Sequence, residues 1–129
     1  MFKFLAKLLG LFTGKKVVSD RVLATVTRDW QEVETLLRGG APSQLKQALI
    51  IADRALDSAL KDLLAGQSMG DRLKNAKGLF HPQTYDKVWQ AHKLRNALVH
   101  ESGFEAQSFV LKASVANLQS ALREIGVRV

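Results

Sequence analysis

Large apolar residues recur at helical spacing in four stretches of this chain, and no stretch alternates apolar and polar residues long enough to make a strand. A helix with one greasy face must bury that face against another element. Four such faces in one chain predict an all-α fold, an antiparallel four-helix bundle with short connections.

The first helix starts at the caps Ser19 and Asp20 and ends at Gly39 and Gly40, with Val22, Leu23, Val26, Trp30, Val33 and Leu37 as its stripe. Pro42 and Ser43 open the second, which runs to about Ala65 and stacks Leu45, Ala48, Leu49, Ala52, Leu56, Ala59, Leu60 and Leu63 on one face. Its many alanines point to close helix–helix approach. Ile50 and Ile51 fall off that face and mark a second apolar patch, suited to the N-terminal segment or a partner subunit. "SMGDRLKNAKGLF" reads as a short capped helix followed by a loop. The third long helix begins near Pro82, carries Tyr85, Val88, Trp89, Ala91, Leu94 and Leu98, and stops near "ESGF", where Gly103 is a natural terminator. The last, about Glu105 to Ile125, aligns Leu111, Val115, Leu118, Leu122 and Ile125.

At 129 residues the chain divides into a basic N-terminal segment, 1–16, and one bundle domain, 17–129. Without cysteine there are no disulfides or thiolate metal sites. The net charge of +7 suggests nucleic acid or an anionic surface, but Lys3, Lys7, Lys15 and Lys16 supply four of those charges. The remaining domain needs no special partner on charge grounds.

"MFKFLAKLLGLF" is shorter than the roughly 20 apolar residues that span a bilayer. Wound as a helix, it sets Phe2, Phe4, Leu5, Leu8, Leu9, Leu11 and Phe12 on one half and Lys3 and Lys7 on the other. That suits contact with a membrane surface, with its own bundle or with a second subunit. Lys7 interrupts the apolar run and no small-residue cleavage site follows, which argues against a signal peptide. A cytoplasmic protein, with a peripheral membrane version as the alternative, is the expectation, and "TGKKVVSD" reads as a linker.

The chemistry concentrates in "AHKLRNALVHE", Ala91 to Glu101. On a helix His92, Asn96 and His100 line one edge, joined by Trp89, while Arg95 lies beside them and Ala91, Leu94 and Leu98 turn to the core. His92 and His100 are two turns apart, about 12 Å, too far to share one zinc. No serine elbow or phosphate loop occurs, and no cofactor or metal is expected. Arginine and histidine together can cleave RNA without metal. Imidazole exchanges protons with a 2′-hydroxyl or a leaving oxygen near neutral pH, and the guanidinium fork receives the charge that builds on phosphate.

"RNALVH", Arg95 to His100, resembles the Arg-x4–6-His motif of HEPN-domain proteins, with the polar residue directly after the arginine. Around it, "DWQEVETLLRG", "LIIADRALDSAL", "MGDRLKN" and "VWQAHKLRNALVHE" look like a set of uncharacterised bacterial proteins with this bundle, over roughly residues 29–126. The resemblance implies an all-helical, usually dimeric domain, in many members a metal-independent ribonuclease of a toxin–antitoxin or defence system. It implies Arg95 and His100 as catalytic, Asn96 as the accompanying polar residue, and their counterparts from a second subunit as completing the cleft; an antitoxin partner is unknown.

A purely structural account competes with it. Arg95 pairs there with Asp53 or Asp57, Asn96 and His100 satisfy helix-end carbonyls, and His92 packs against Trp89. Asp53 and Asp57 are a solvated edge or the arginine's partner. On that account the chain is a helical interaction module, attached to a membrane or a protein through its N-terminus. In a third version the N-terminal helix localises or restrains a ribonuclease.

Overall fold

A computed structural model describes residues 17–129. The expectations for Phe2, Lys3, Phe4, Lys7, Leu8 and Phe12, and for 1–16 as a separate segment, lie outside the described residues. Five α-helices follow one another: α1 (Asp20–Gly39), α2 (Pro42–Leu63), α3 (Met69–Asn75), α4 (Pro82–His100) and α5 (Ser108–Glu124), with a 3-10 turn, Lys77–Leu79, ahead of α4. Among the described residues there is no strand, and no helix is long and apolar enough to cross a membrane.

The helix ends follow local chemistry. The Ser19 hydroxyl accepts the Val22 N–H at 3.3 Å and starts α1. Gly40, at φ 73°, ends it and donates its N–H to the Leu36 carbonyl at 3.1 Å. That left-handed backbone is strained for any residue with a Cβ. Pro42 then opens α2 in its first turn, and Gln44 Oε1 accepts the Ala41 N–H at 3.0 Å.

The central helix is α2, which packs against α1, α3, α4 and α5, while α4 also lies on α5. Leu45, Leu49, Leu56 and Leu60 are fully buried along it, each contributing about 1.5–3 kcal/mol. Ala48, Ala52, Ala55 and Ala59 are equally buried and leave room for the neighbouring helices. Val26, Trp30 and Val33 of α1 and Leu111, Val115, Leu118 and Leu122 of α5 complete one continuous core. Polar ties fix the ends: the Ser19 N–H donates to Asp62 at the end of α2 at 2.8 Å, and the His81 N–H donates to Glu124 of α5 at 3.0 Å.

Several expectations need correction. Ile51 is 1% exposed and belongs to the core, while its neighbour Ile50 is half-buried, so the two do not form one exposed patch. A helix with neighbours on several sides needs apolar residues beyond one stripe. Leu94 and Leu98 pack against the core as expected, but His92, assigned to the polar edge, is buried as well. The linker reading also ends early, because Val18 is buried in the core cluster. Finally, α5 starts at Ser108 rather than near Glu105, whose carboxylate instead meets Lys46 at 3.0 Å.

Candidate functional site: a polar cluster between α2 and α4

Where α4 crosses α2, the carboxylate of Asp53 is 2% exposed. A charge taken that far out of water must be partnered, and α4 supplies the partners. His92 Nδ1 lies 3.0 Å from Asp53 Oδ2 and 3.3 Å from Oδ1. An ionised carboxylate only accepts, so a hydrogen bond here calls for the proton on Nδ1. Arg95 Nε lies 3.7 Å from the same Oδ2, within ion-pair range but beyond a hydrogen bond. Arg95 Nη1 donates to Asn96 Oδ1 at 2.8 Å, and Asn96 Nδ2 faces His92 Nε2 at 3.5 Å. Four side chains, three of them from one turn of α4, thus form a closed polar group.

Trp89 walls one side of this group, edge-on to His92 at 6.2 Å between ring centroids and to Tyr85 at 6.5 Å. Lys93 Nζ sits 5.9 Å from the Trp89 ring centre, in cation–π range. His92 is therefore not a simple packing residue. One nitrogen serves a buried acid and the other faces an amide.

The structure brings together Asp53, Trp89, His92, Arg95 and Asn96. It does not bring His100 into the cluster: that residue is exposed in the last turn of α4. Nor do Asn96 and His100 cap the helix end, because the backbone does so through the Glu101 N–H on the Ala97 carbonyl at 2.9 Å. Asp53 is no solvated edge, and Asp57 is not the partner of Arg95.

Asp57 belongs to a residue that sequence reasoning missed. Arg72 of α3 donates Nε to Asp57 Oδ1 at 2.7 Å and Nη2 to Oδ2 at 3.0 Å, and its Nη1 reaches the Gly66 carbonyl at 2.7 Å. The bond with Asp57 holds its guanidinium pKa above the ordinary value. The only signal in the sequence is an arginine inside a short capped helix, fifteen residues from its partner.

Arg95 differs in having capacity left over. Its side chain is 31% exposed, its buried Nε has no hydrogen-bond partner, and Nη1 alone is engaged. A guanidinium has five N–H donors. The free ones suit an anion such as a phosphate or carboxylate. Among the described residues no three His, Cys, Asp or Glu side chains group to hold a metal ion. Compared with known proteins, the chain matches no family model, no curated protein and no solved structure.

Proposed function

We propose that this chain is a metal-independent endoribonuclease of the HEPN type, working as a homodimer in a toxin or defence setting, with α1, α2, α4 and α5 as its antiparallel four-helix bundle. The observation that carries the reading is Arg95, anchored at one edge by Asn96 and backed by the buried Asp53, yet 31% exposed with donors to spare. His100 stands free in the last turn of the same helix. In the reaction, the His100 imidazole takes the proton of a ribose 2′-hydroxyl. O2′ bonds to phosphorus, the P–O5′ bond breaks, and the leaving oxygen takes up a proton from a second imidazole. Arg95 holds the phosphate oxygens as charge accumulates on them.

His100 is five positions after Arg95, about 7.5 Å along the helix and about 140° around it. One copy therefore spreads the two groups over different faces, and a second copy completes the cleft and supplies the second imidazole. The test is incubation of the purified full chain with single-stranded RNA in EDTA. The expected products are a 2′,3′-cyclic phosphate and a 5′-hydroxyl, with losses of at least about 10²-fold in His100→Ala. Intact RNA after long incubation with folded dimer, or full activity in His100→Ala, overturns the reading.

A non-enzymatic interaction module draws on a different observation. Phe109 is 69% exposed at the start of α5, and Val99 is also exposed at the end of α4. Exposed large apolar side chains of this kind offer contact to a partner protein. On this reading the chain leaves RNA intact, and Phe109→Ser abolishes its assembly in sedimentation. Its membrane version requires the full chain, but not one lacking residues 1–14, to sediment with anionic liposomes.

A further inference from the structure

Asn96 is read from both ends of its amide. Nδ2 faces His92 Nε2 at 3.5 Å, and Oδ1 accepts from Arg95 Nη1 at 2.8 Å. An amide has one donating and one accepting end, so both contacts hold together only while Nε2 carries no proton. Asp53 provides that condition by drawing the imidazole hydrogen to Nδ1, 3.0 Å from its carboxylate.

We infer that Asp53, His92 and Asn96 form a proton-operated catch on Arg95, in which the charge state of His92 sets the direction of the Asn96 amide and thereby the hold on the guanidinium. With neutral His92, the amide oxygen points at Arg95 and holds it. A second proton on His92 places an N–H at Nε2, facing the amide NH2 across a donor–donor clash. The amide then turns over, gives its oxygen to His92 and presents NH2 to Arg95. A guanidinium has no acceptor, so that hydrogen bond is lost.

Charge acts in the same direction. The carboxylate of Asp53 and the guanidinium of Arg95 balance one another beside a neutral imidazole, and an imidazolium adds a positive charge without a new counter-ion. The other charged groups nearby are committed elsewhere. Asp57, one turn along α2, is held by Arg72; Arg54 bonds Asp29 of α1 at 3.3 Å; Lys93 lies over Trp89. Among the described residues, the only charged side chains in hydrogen-bond or ion-pair contact with this group are Asp53 and Arg95. Asp53, His92 and Asn96 are thus positioning residues, and acid releases Arg95. The consequence for RNA rests on the ribonuclease reading, while the catch itself does not.

The experiment is heteronuclear NMR on the isotope-labelled full chain, from about pH 8 to about pH 5, across the range where imidazoles titrate. It follows the His92 ring nitrogens, the Asn96 side-chain amide and the Arg95 Nε–H. Expected at the alkaline end is the Nδ1–H tautomer, and on acidification all three signals move with a single midpoint. In His92→Gln the Asn96 and Arg95 transitions disappear. The wild-type titration decides the matter even where that variant folds poorly. An Nε2–H tautomer at the alkaline end, a His92 that does not titrate in this range, or a His92 that titrates while Asn96 and Arg95 stay still each overturns the catch. RNA cleavage is scored separately. Co-titration with intact RNA upholds the catch and removes the ribonuclease, whereas cleavage without co-titration does the reverse.

Discussion

Asp53 and Asp57 lie one turn apart on α2 and each faces an arginine, but the two pairs are built differently. Around Asp57 every strong group is used: both carboxylate oxygens accept from Arg72, whose third nitrogen takes the Gly66 carbonyl. A Cβ on Gly66 would meet Arg72 Cγ at 2.8 Å, so that turn is closed tightly over the arginine. Around Asp53 the carboxylate is occupied by His92, and Arg95 keeps an unpartnered Nε and a solvent-facing edge. A saturated ion pair locks chain segments together, while an unsaturated one leaves donors for something else. The first pair holds the α2–α3 connection, and the second is the place to look for a ligand.

The comparison makes graded predictions. Arg72→Ala strips a partly buried carboxylate of its bidentate partner and should cost up to about 3–5 kcal/mol, measured by urea unfolding. Arg95→Ala removes the longer, 3.7 Å contact and leaves Asp53 hydrogen-bonded to His92, so it should cost less than Arg72→Ala. In the cleavage assay the order inverts: Arg95→Ala loses at least about 10²-fold, and Arg72→Ala keeps its activity per folded molecule. Equal destabilisation by the two variants would erase the distinction between the sites. Asp53→Ala should fall between them, at about 1–3 kcal/mol, because it leaves a buried imidazole donor unsatisfied.

The smallest effect lies at Asp62. The Ser19 backbone N–H holds this carboxyl below the ordinary 3.8, followed by the Ser19 side chain; desolvation opposes them, and the Arg21 charge adds the smallest effect. A depressed folded-state value means that its contribution is complete above the unfolded value and is lost as pH falls through the folded one. The Tm of wild type should therefore drop more steeply than that of Asp62→Asn on the acid side of 3.8. Parallel curves would show that this tie adds nothing.

What could be read in advance divides along the same line. The ends of α1 were legible because Ser19 and Gly40 act on groups within four residues of themselves. The start of α5 was not, because its N-cap, Gln107, makes no side-chain capping hydrogen bond and so leaves no cap signal in the sequence. His92, Asn96, His100 and Trp89 stood out as one polar edge of a helix with Arg95 beside it; all but His100 are neighbours in space. The burial of Asp53 was invisible. An acid at the edge of an apolar stripe reads as solvated until another helix is laid over it.

Periodicity and capping are short-range properties, so the residues alone determined that the described domain is built of helices without strands, where most of those helices begin and end, and which faces turn inward. Which acid meets which base was decided only by the tertiary structure. Asp53 and Asp57 are chemically identical and a turn apart, and what separates their roles is the element that packs over each. That depends on contacts made across the fold, where desolvation turns a surface charge into a group that must find a partner.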